Sequence, residues 1–410
     1  MPNSEIQIAK KLYFSQQGKD RQSRPAVRVA LAGMIVGVLV MILTFCIIIG
    51  FKQTVTEKVA GFGAHIQIVS FENNDTYDLQ PITVSDSLLE QLRGYEHVTA
   101  AVPFITKPGM LKTDSAFHGI VLKGSDYWDF FARNLVEGGR LPAKEQEVIL
   151  SQSVASELKL HVGDSILSYY VGEKNVAARK LYITGIYDTG FKQYDDLFVL
   201  TPLQTTQRLQ GWGKDTCSGV EILIDDMKNL YKTADYVFDV VGNNFDEFGY
   251  NVYYVKTLEE MNPTIFSWLD LLDMNVVVII ILMLLVAGFN IISGLIILIL
   301  EGVQLIGTLK ALGANNLFVQ RIFIAQAAML VGKGVLWGNI LGLGIAAVQY
   351  FFHIIPLEAA TYYVDTVPIA FPWGWLILLN IATIALSLLV LLLPSMIITK
   401  ISPAKVMHFE

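Results

Sequence analysis

The sequence predicts a membrane protein with four transmembrane α-helices and a large α+β domain inserted between the first and the second. Three observations carry that prediction. The composition is 53% hydrophobic and only 16% charged over 410 residues, where soluble domains carry about 25% charged residues. Two runs contain no charge at all, 23 residues over 29–51 and 27 residues over 274–300, and roughly 20 apolar residues cross a bilayer. The segment between those runs is polar, patterned and long enough to fold as a domain of its own.

The elements follow in chain order. Residues 1–26 form a short basic amphipathic segment, with Ile6, Ala9 and Tyr13 on one side and Lys10 and Lys11 on the other, a pattern suited to a helix lying on a membrane surface. Residues 27–51 are the first span. Its apolar stretch exceeds the roughly 7–15 residues of a signal-peptide core and no small-residue cleavage site follows, so it is expected to remain as an anchor. Lys10, Lys11, Lys19, Arg21, Arg24 and Arg28 outweigh Glu5 and Asp20 before it, which places the N-terminus in the cytoplasm by the positive-inside rule.

Residues 52–273 then fall outside the membrane. They carry 19 basic and 31 acidic residues, so the net charge of -7 for the chain arises from this segment. Strand-like alternation occurs over residues 65–69, 147–150 and 180–184. Residues 85–92 and 151–158 read as helices opening on the capping residues Ser85 and Ser151, and Gly163-Asp164 marks a turn after the second. The mixture predicts an α+β domain.

The second span covers 274–300, an inner link 301–321, the third span 322–352, an outer loop 353–372, the fourth span 373–398 and a cytoplasmic tail 399–410 containing Lys400 and Lys405. The third run is glycine-rich and broken by Lys333. Pro368, Pro372 and Pro394 punctuate the fourth. Within the link, Leu305, Leu309 and Leu312 recur at helical spacing, Gly313 supplies a stop, and Asn315-Asn316 is placed to cap a new helix.

Several function classes are excluded. The acidic balance argues against a nucleic-acid partner, and two cysteines, Cys46 within an apolar run and Cys217, do not make a disulfide scaffold. His65, His118 and His161 are scattered, with no HExxH, no GxSxG and no paired Cys/His ligands, so no metal site or catalytic set is expected. Gly332-Lys333-Gly334 lacks the remaining elements of a phosphate loop, so the chain cannot hydrolyse ATP alone. The spans contain no relay of acidic or histidine residues. Lys333 either faces the bundle or snorkels to a headgroup, or it contacts an anionic ligand group.

The link reads E-x-x-x-x-I-G-x-L-K-A-L-G-A over 301–314, and in this it resembles the permeases of the MacB/FtsX-type ABC superfamily. Further segments resemble the LolC/LolE lipoprotein-releasing branch across nearly the whole chain. They are Ile-Ala-Lys-Lys-Leu-Tyr over 8–13, the spacing of Gly33, Gly37 and Gly50-Phe51-Lys52, and Gly-Ala-His-Ile-Gln-Ile over 63–68. Gly-Ile-Tyr-Asp-Thr-Gly over 185–190 and Tyr194-Asp195 continue the match, as do Ala-Gly-Phe-Asn-Ile-Ile-Ser over 287–293, Tyr-Tyr-Val-Asp-Thr-Val-Pro-Ile over 362–369 and the terminal 401–410. The link motif marks the superfamily, whereas the Tyr-Tyr-Val-Asp and terminal segments mark the branch.

The resemblance implies a non-catalytic permease in a bacterial inner membrane, with both termini cytoplasmic and the large domain periplasmic. It implies that this chain binds no cofactor, that ATP and Mg belong to a separate cytoplasmic ATPase, and that a second permease chain, identical or a sister, completes the membrane part. A lipoprotein would enter from the outer leaflet and ATP-driven closure would pass it to a periplasmic chaperone. The link becomes a coupling helix on the ATPase, with Glu301, Leu305, Gly307, Leu309, Lys310, Leu312 and Gly313 at the contact, and Gly307 and Ala311 permitting close approach. Gly33 and Gly37 offer a close-packing face. Ile47, Ile48, Ile49 and Phe51, with Lys333, are candidates for the lipoprotein, although apolar residues there also suit ordinary lipid. Residues 170–180 match the family's chaperone-recruiting hook, with Gly172, Glu173, Lys174 and Asn175 at a tip that lacks the family's proline. Two other readings are an FtsX-like permease signalling to a cell-wall hydrolase, expected to have a much smaller outer domain, and a MacB-like export permease, expected to carry its own ATPase.

Overall fold

In the computed structural model, residues 24–73, 77–113, 116–171, 176–242 and 252–395 are described. The amphipathic segment before Arg24 and the tail after Ser395 lie outside them. The described chain divides into two compact units. One holds the chain up to Lys52, Trp268–Ile355 and the chain from Val367 onward, and the other holds Gln53–Ser267 with Pro356–Thr366.

Among the described residues, four helices are long and apolar enough to cross a membrane. The first runs Arg24–Gly63 and the second Pro263–Glu301, so both continue as helix past their charge-free runs. Pro263 suits a first helical position because its missing N–H has no intrahelical partner there. The third runs Asn316–Phe352 and the fourth Trp373–Ser395. Their core is built from Met41, Ile42, Cys46, Leu295, Ile299, Phe323 and Leu391, all essentially closed to solvent.

Glycine spacing on the third helix permits a close helix approach. A Cβ on Gly334 would lie 2.5 Å from the Met34 side chain, one on Gly338 2.6 Å from Val38 and one on Gly342 3.2 Å from Ile42. These glycines, four apart, let the third helix approach the first through backbone contact. The expectation for the first helix is corrected in part. Gly33 does meet a neighbour, the Asn290 amide at 2.4 Å from an added Cβ, but nothing lies within 4 Å of Gly37. Asn339 and Asn380 exchange side-chain hydrogen bonds of 2.6 and 3.0 Å, which joins the third helix to the fourth.

The other unit is built on a mixed sheet. Its strands are β1 (Ile66–Ser70), β2 (Ile82–Thr83), β3 (Val98–Lys112), β4 (Phe117–Gly124), β5 (Leu135–Glu137), β6 (Glu147–Ser151), β7 (Ser165–Val171), β8 (Val176–Tyr187), β9 (Phe198–Thr201), β10 (Thr216–Cys217), β11 (Gly219–Ile224) and β12 (Tyr253–Thr257). In chain order all of them fall between the first and second long helices. The main sheet runs β12-β1-β11-β3-β4-β9-β6-β8-β5, with β7 pairing β3 and β8, while β2 and β10 form a separate ladder. Only the β4–β9 and β6–β8 pairs are parallel among the described residues.

Capping follows the sequence where a serine leads. Ser85 accepts from Leu88 N before the helix Asp86–Arg93, and Ser151 accepts from Val154 N before Gln152–Leu158. Gly163 turns with φ +98°. The aromatic core gathers on Phe62, at the end of the first long helix, with Phe130, Phe131, Tyr187, Phe191, Tyr194 and Phe198 around it.

Candidate functional site

Three of the segments that carry the resemblance, 185–190, 194–195 and 362–365, meet in space within the outer unit. Strand β8 ends at Tyr187, and the chain turns through Asp188, Thr189 and Gly190 into a single helical turn, Lys192–Asp195. Asp195 holds that turn together. Its carboxylate accepts from Thr189 N, Thr189 Oγ1 and Phe191 N, at 3.2, 2.8 and 3.2 Å. The side chain is buried, and burial pushes its pKa up to about 6.

The loop from the end of the third long helix folds against this turn. Pro356 bridges Thr366, Leu357 N donates to Asp365 O at 2.8 Å, and Tyr363 sits at φ +62° with its ring edge-on to Phe191, 5.3 Å between centroids. Lys58, on the first long helix, donates to Tyr363 O at 3.4 Å and is faced by the carboxylates of Asp365, Asp195 and Asp188. Gly190, at φ +64°, leaves the space they occupy, since an added Cβ would lie 2.0 Å from Asp365 Oδ2 and 2.9 Å from Lys58 Nζ. Residues 185–190, 194–195 and 362–365 thus converge on one lysine. Sequence reasoning treated them as separate marks and missed both Lys58 and their meeting.

Packed rings, a positive charge among carboxylates and a positive-φ glycine fix three segments to one another. His65 and His118 play structural parts. Burial lowers the His65 imidazole to about 4, and its Nδ1 accepts from Ile224 N at 3.3 Å. His118 Nε2 lies 2.7 Å from Asp196 O, and no group of three or more His, Cys, Asp or Glu is placed to hold a metal ion among the described residues.

The inner link forms a helix, Val303–Ala311. Gly313, at φ +88°, ends it: Ala314 N donates to Leu309 O and Gly313 N to Lys310 O, both at 3.0 Å, the paired closure of a Schellman motif. The next helix starts without a side-chain cap from Asn315, contrary to expectation. The outward face also differs from the one read from leucine spacing. Ile306 and Gly307 are buried and Leu309 packs partly against the helical core, so Gly307 serves this chain's own packing. Leu305 and Lys310 are half-buried, Gly313 and Ala311 are exposed, and Leu312 is 80% exposed. Glu301 closes the second long helix.

At the other end of the first apolar run, Ile47 and Ile48 are half-buried. Phe51 is buried, its ring edge-on to Trp268 at 5.7 Å, because the second long helix covers it. Lys333 is half-buried on the third helix. The hook stretch is a hairpin, with Val171 paired to Val176 across β7 and β8; its tip residues Gly172, Glu173, Lys174 and Asn175 lie outside the described residues.

Comparison with known proteins matches this architecture. The MacB-like periplasmic core domain family matches residues 29–237, and the FtsX-like permease C-terminal family matches residues 277–403. Along its length the chain is 25% identical to the lipoprotein-releasing system transmembrane protein LolE of Haemophilus influenzae, covering 96% of this chain and 97% of that one. It is 24% identical to LolC of Neisseria meningitidis, covering 93% and 94%. The crystal structure of the periplasmic region of MacB from Actinobacillus actinomycetemcomitans aligns over 52% of this chain and 97% of that one, with a TM-score of 0.36 and 16% identity. The chain belongs to the MacB/FtsX superfamily of ABC transporter permeases, within which it is of the LolC/LolE type.

Proposed function

We propose that the chain is the permease subunit of an ABC transporter that extracts lipoproteins from the outer leaflet of the inner membrane and releases them towards the outer membrane. The observation that carries this reading is similarity to a LolE and a LolC over more than nine-tenths of each chain. In this reading the basic N-terminal segment and the Lys400 and Lys405 tail lie in the cytoplasm, and the acidic segment 52–273 lies in the periplasm.

Work is supplied from the inner side. A separate ATPase subunit, holding ATP and Mg, seats the link helix, and Leu312 is the anchor its exposure favours. The first long helix carries Lys58 and Phe62 into the aromatic core of the outer domain, which supports mechanical transmission along that helix to the sheet. A second permease chain completes the path, Ile47 and Ile48 contribute apolar surface to the acyl chains, and the hairpin at 170–180 recruits a periplasmic chaperone.

Reconstitution tests this. Proteoliposomes holding the chain, its partner ATPase and a triacylated lipoprotein are expected to release the lipoprotein to a soluble carrier only when ATP is supplied. Release that is equal with and without ATP, or absent while the ATPase turns over in the complex, contradicts the proposal.

A further inference from the structure

The outer domain contains a cavity of about 400 Å³ beneath its aromatic wall, within the roughly 300–1,000 Å³ typical of small-molecule sites. Its floor is one face of the sheet. Gln67 on β1 lies opposite Glu221 on β11, and Thr106 on β3 lies opposite Lys123 on β4, with β1, β11, β3 and β4 adjacent in that order. These inward positions carry polar groups where a packing core would place aliphatic ones.

Thr106, Lys123 and Glu221 are each more than nine-tenths buried. Lys123 Nζ lies 2.6 Å from Glu221 Oε1 and also donates to Phe62 O. The Thr106 hydroxyl and the Asn73 Nδ2, on residues lining the cavity, have no hydrogen-bond partner among the described residues. A buried hydroxyl without a partner costs about 1–3 kcal/mol, which a fold avoids unless something else satisfies it. Across from the floor, Phe62, Tyr194 and Phe198 form a wall, with Tyr194 stacked on both of the others.

We propose that this cavity binds a small uncharged organic molecule that carries amide groups beside an apolar face. The lining selects against an anion, because its two cations, Lys123 and Lys256, are matched by Glu221 and Glu260, and Glu221 on the floor would repel a further negative group. It selects against a bare hydrocarbon, which would leave the Thr106 hydroxyl unpaired. An amide supplies an N–H to Glu221 or Thr106 and a carbonyl to the Thr106 hydroxyl or the Asn73 amide. Its apolar part lies on the wall, where an aromatic ring gains an offset stack. This inference does not depend on lipoprotein transport.

N-acetyl-L-phenylalaninamide is the probe, titrated against the detergent-solubilised full chain with binding read by saturation-transfer NMR. The expected result is saturable binding, with N-acetyl-L-phenylalanine, its anionic counterpart, weaker by about tenfold. Val69→Phe, which fills the cavity from β1, is expected to abolish the signal. Thr106→Val is expected to weaken binding by roughly two- to tenfold, the worth of one hydrogen bond, without lowering the thermal midpoint, since the lost hydroxyl has no partner among the described residues. Absence of binding by the native chain overturns the proposal and leaves the cavity to water. Binding unchanged in Thr106→Val overturns it as well, and does so even if Val69→Phe fails to fold.

Discussion

At Gly190 two constraints fall on a single Cα, a left-handed φ of +64° and an added Cβ that would lie 2.0 Å from Asp365 Oδ2. Either alone disfavours a side chain. Gly190→Ala is therefore expected to destabilise the outer domain by about 1–3 kcal/mol, whereas Gly119→Ala, with nothing within 4 Å, serves as the neutral comparison in the same thermal melt. Asp195 sets a pH dependence. Burial raises its pKa from the usual 3.8 to about 6, so the folded state holds the proton more tightly than the unfolded chain. That contribution to stability is fully present below about pH 4 and is lost as the pH rises through 6. His65 works in the opposite sense, since burial lowers it from 6.5 to about 4 and its contribution is lost as the pH falls through that value. Subtracting the melt of Asp195→Asn isolates the carboxylate. Relative to the native chain the variant is expected to gain stability from pH 4 to 7, by up to about 3 kcal/mol, and a constant difference would contradict the assignment.

At the scale of elements, the third long helix is defined by what it lacks. Gly334, Gly338 and Gly342 were visible in the sequence as glycine richness, but their partners, Met34, Val38 and Ile42, lie some three hundred residues earlier in the chain. Gly338→Leu is expected to cost about 1–3 kcal/mol by overpacking and to lower the yield of folded protein. Gly344→Ala, in open space, is expected to leave it unchanged. For the link helix, leucine spacing located the element and Gly313 its end, because both are local signals. Which residues face outward depended on the surrounding core, and that leaves Leu312, 80% exposed, as the prominent outward side chain. Leu312→Asp is accordingly expected to leave the unfolding free energy within about 0.5 kcal/mol of the native value, as for exposed positions generally, while uncoupling ATP hydrolysis from release.

At the scale of the whole molecule, the four long helices and the mixed character of the sheet domain were legible in the sequence, from apolar runs and strand alternation that adjacent residues encode, whereas the stretch 170–180 was marked only by resemblance. The meeting of Lys58 with Asp188, Asp195 and Asp365, and the buried Lys123–Glu221 pair, were not legible. Their partners are brought together only by sheet topology and by the folding of the 356–366 loop, and a lone lysine on a strand or helix reads as a solvated one. Residues 185–190, 194–195 and 362–365 gain a physical meaning from that topology: they build one joint, held by charge and aromatic packing.

The most direct test of the central claim is ATP-dependent release of a triacylated lipoprotein from proteoliposomes containing the chain and its ATPase, comparing the native chain with Leu312→Asp. The account predicts release with the native chain, and with the variant continued ATP hydrolysis but loss of most release. Native-level release by a variant that assembles normally would contradict the assignment of Leu312 to coupling, and absence of ATP-dependent release from the native complex would contradict lipoprotein release itself.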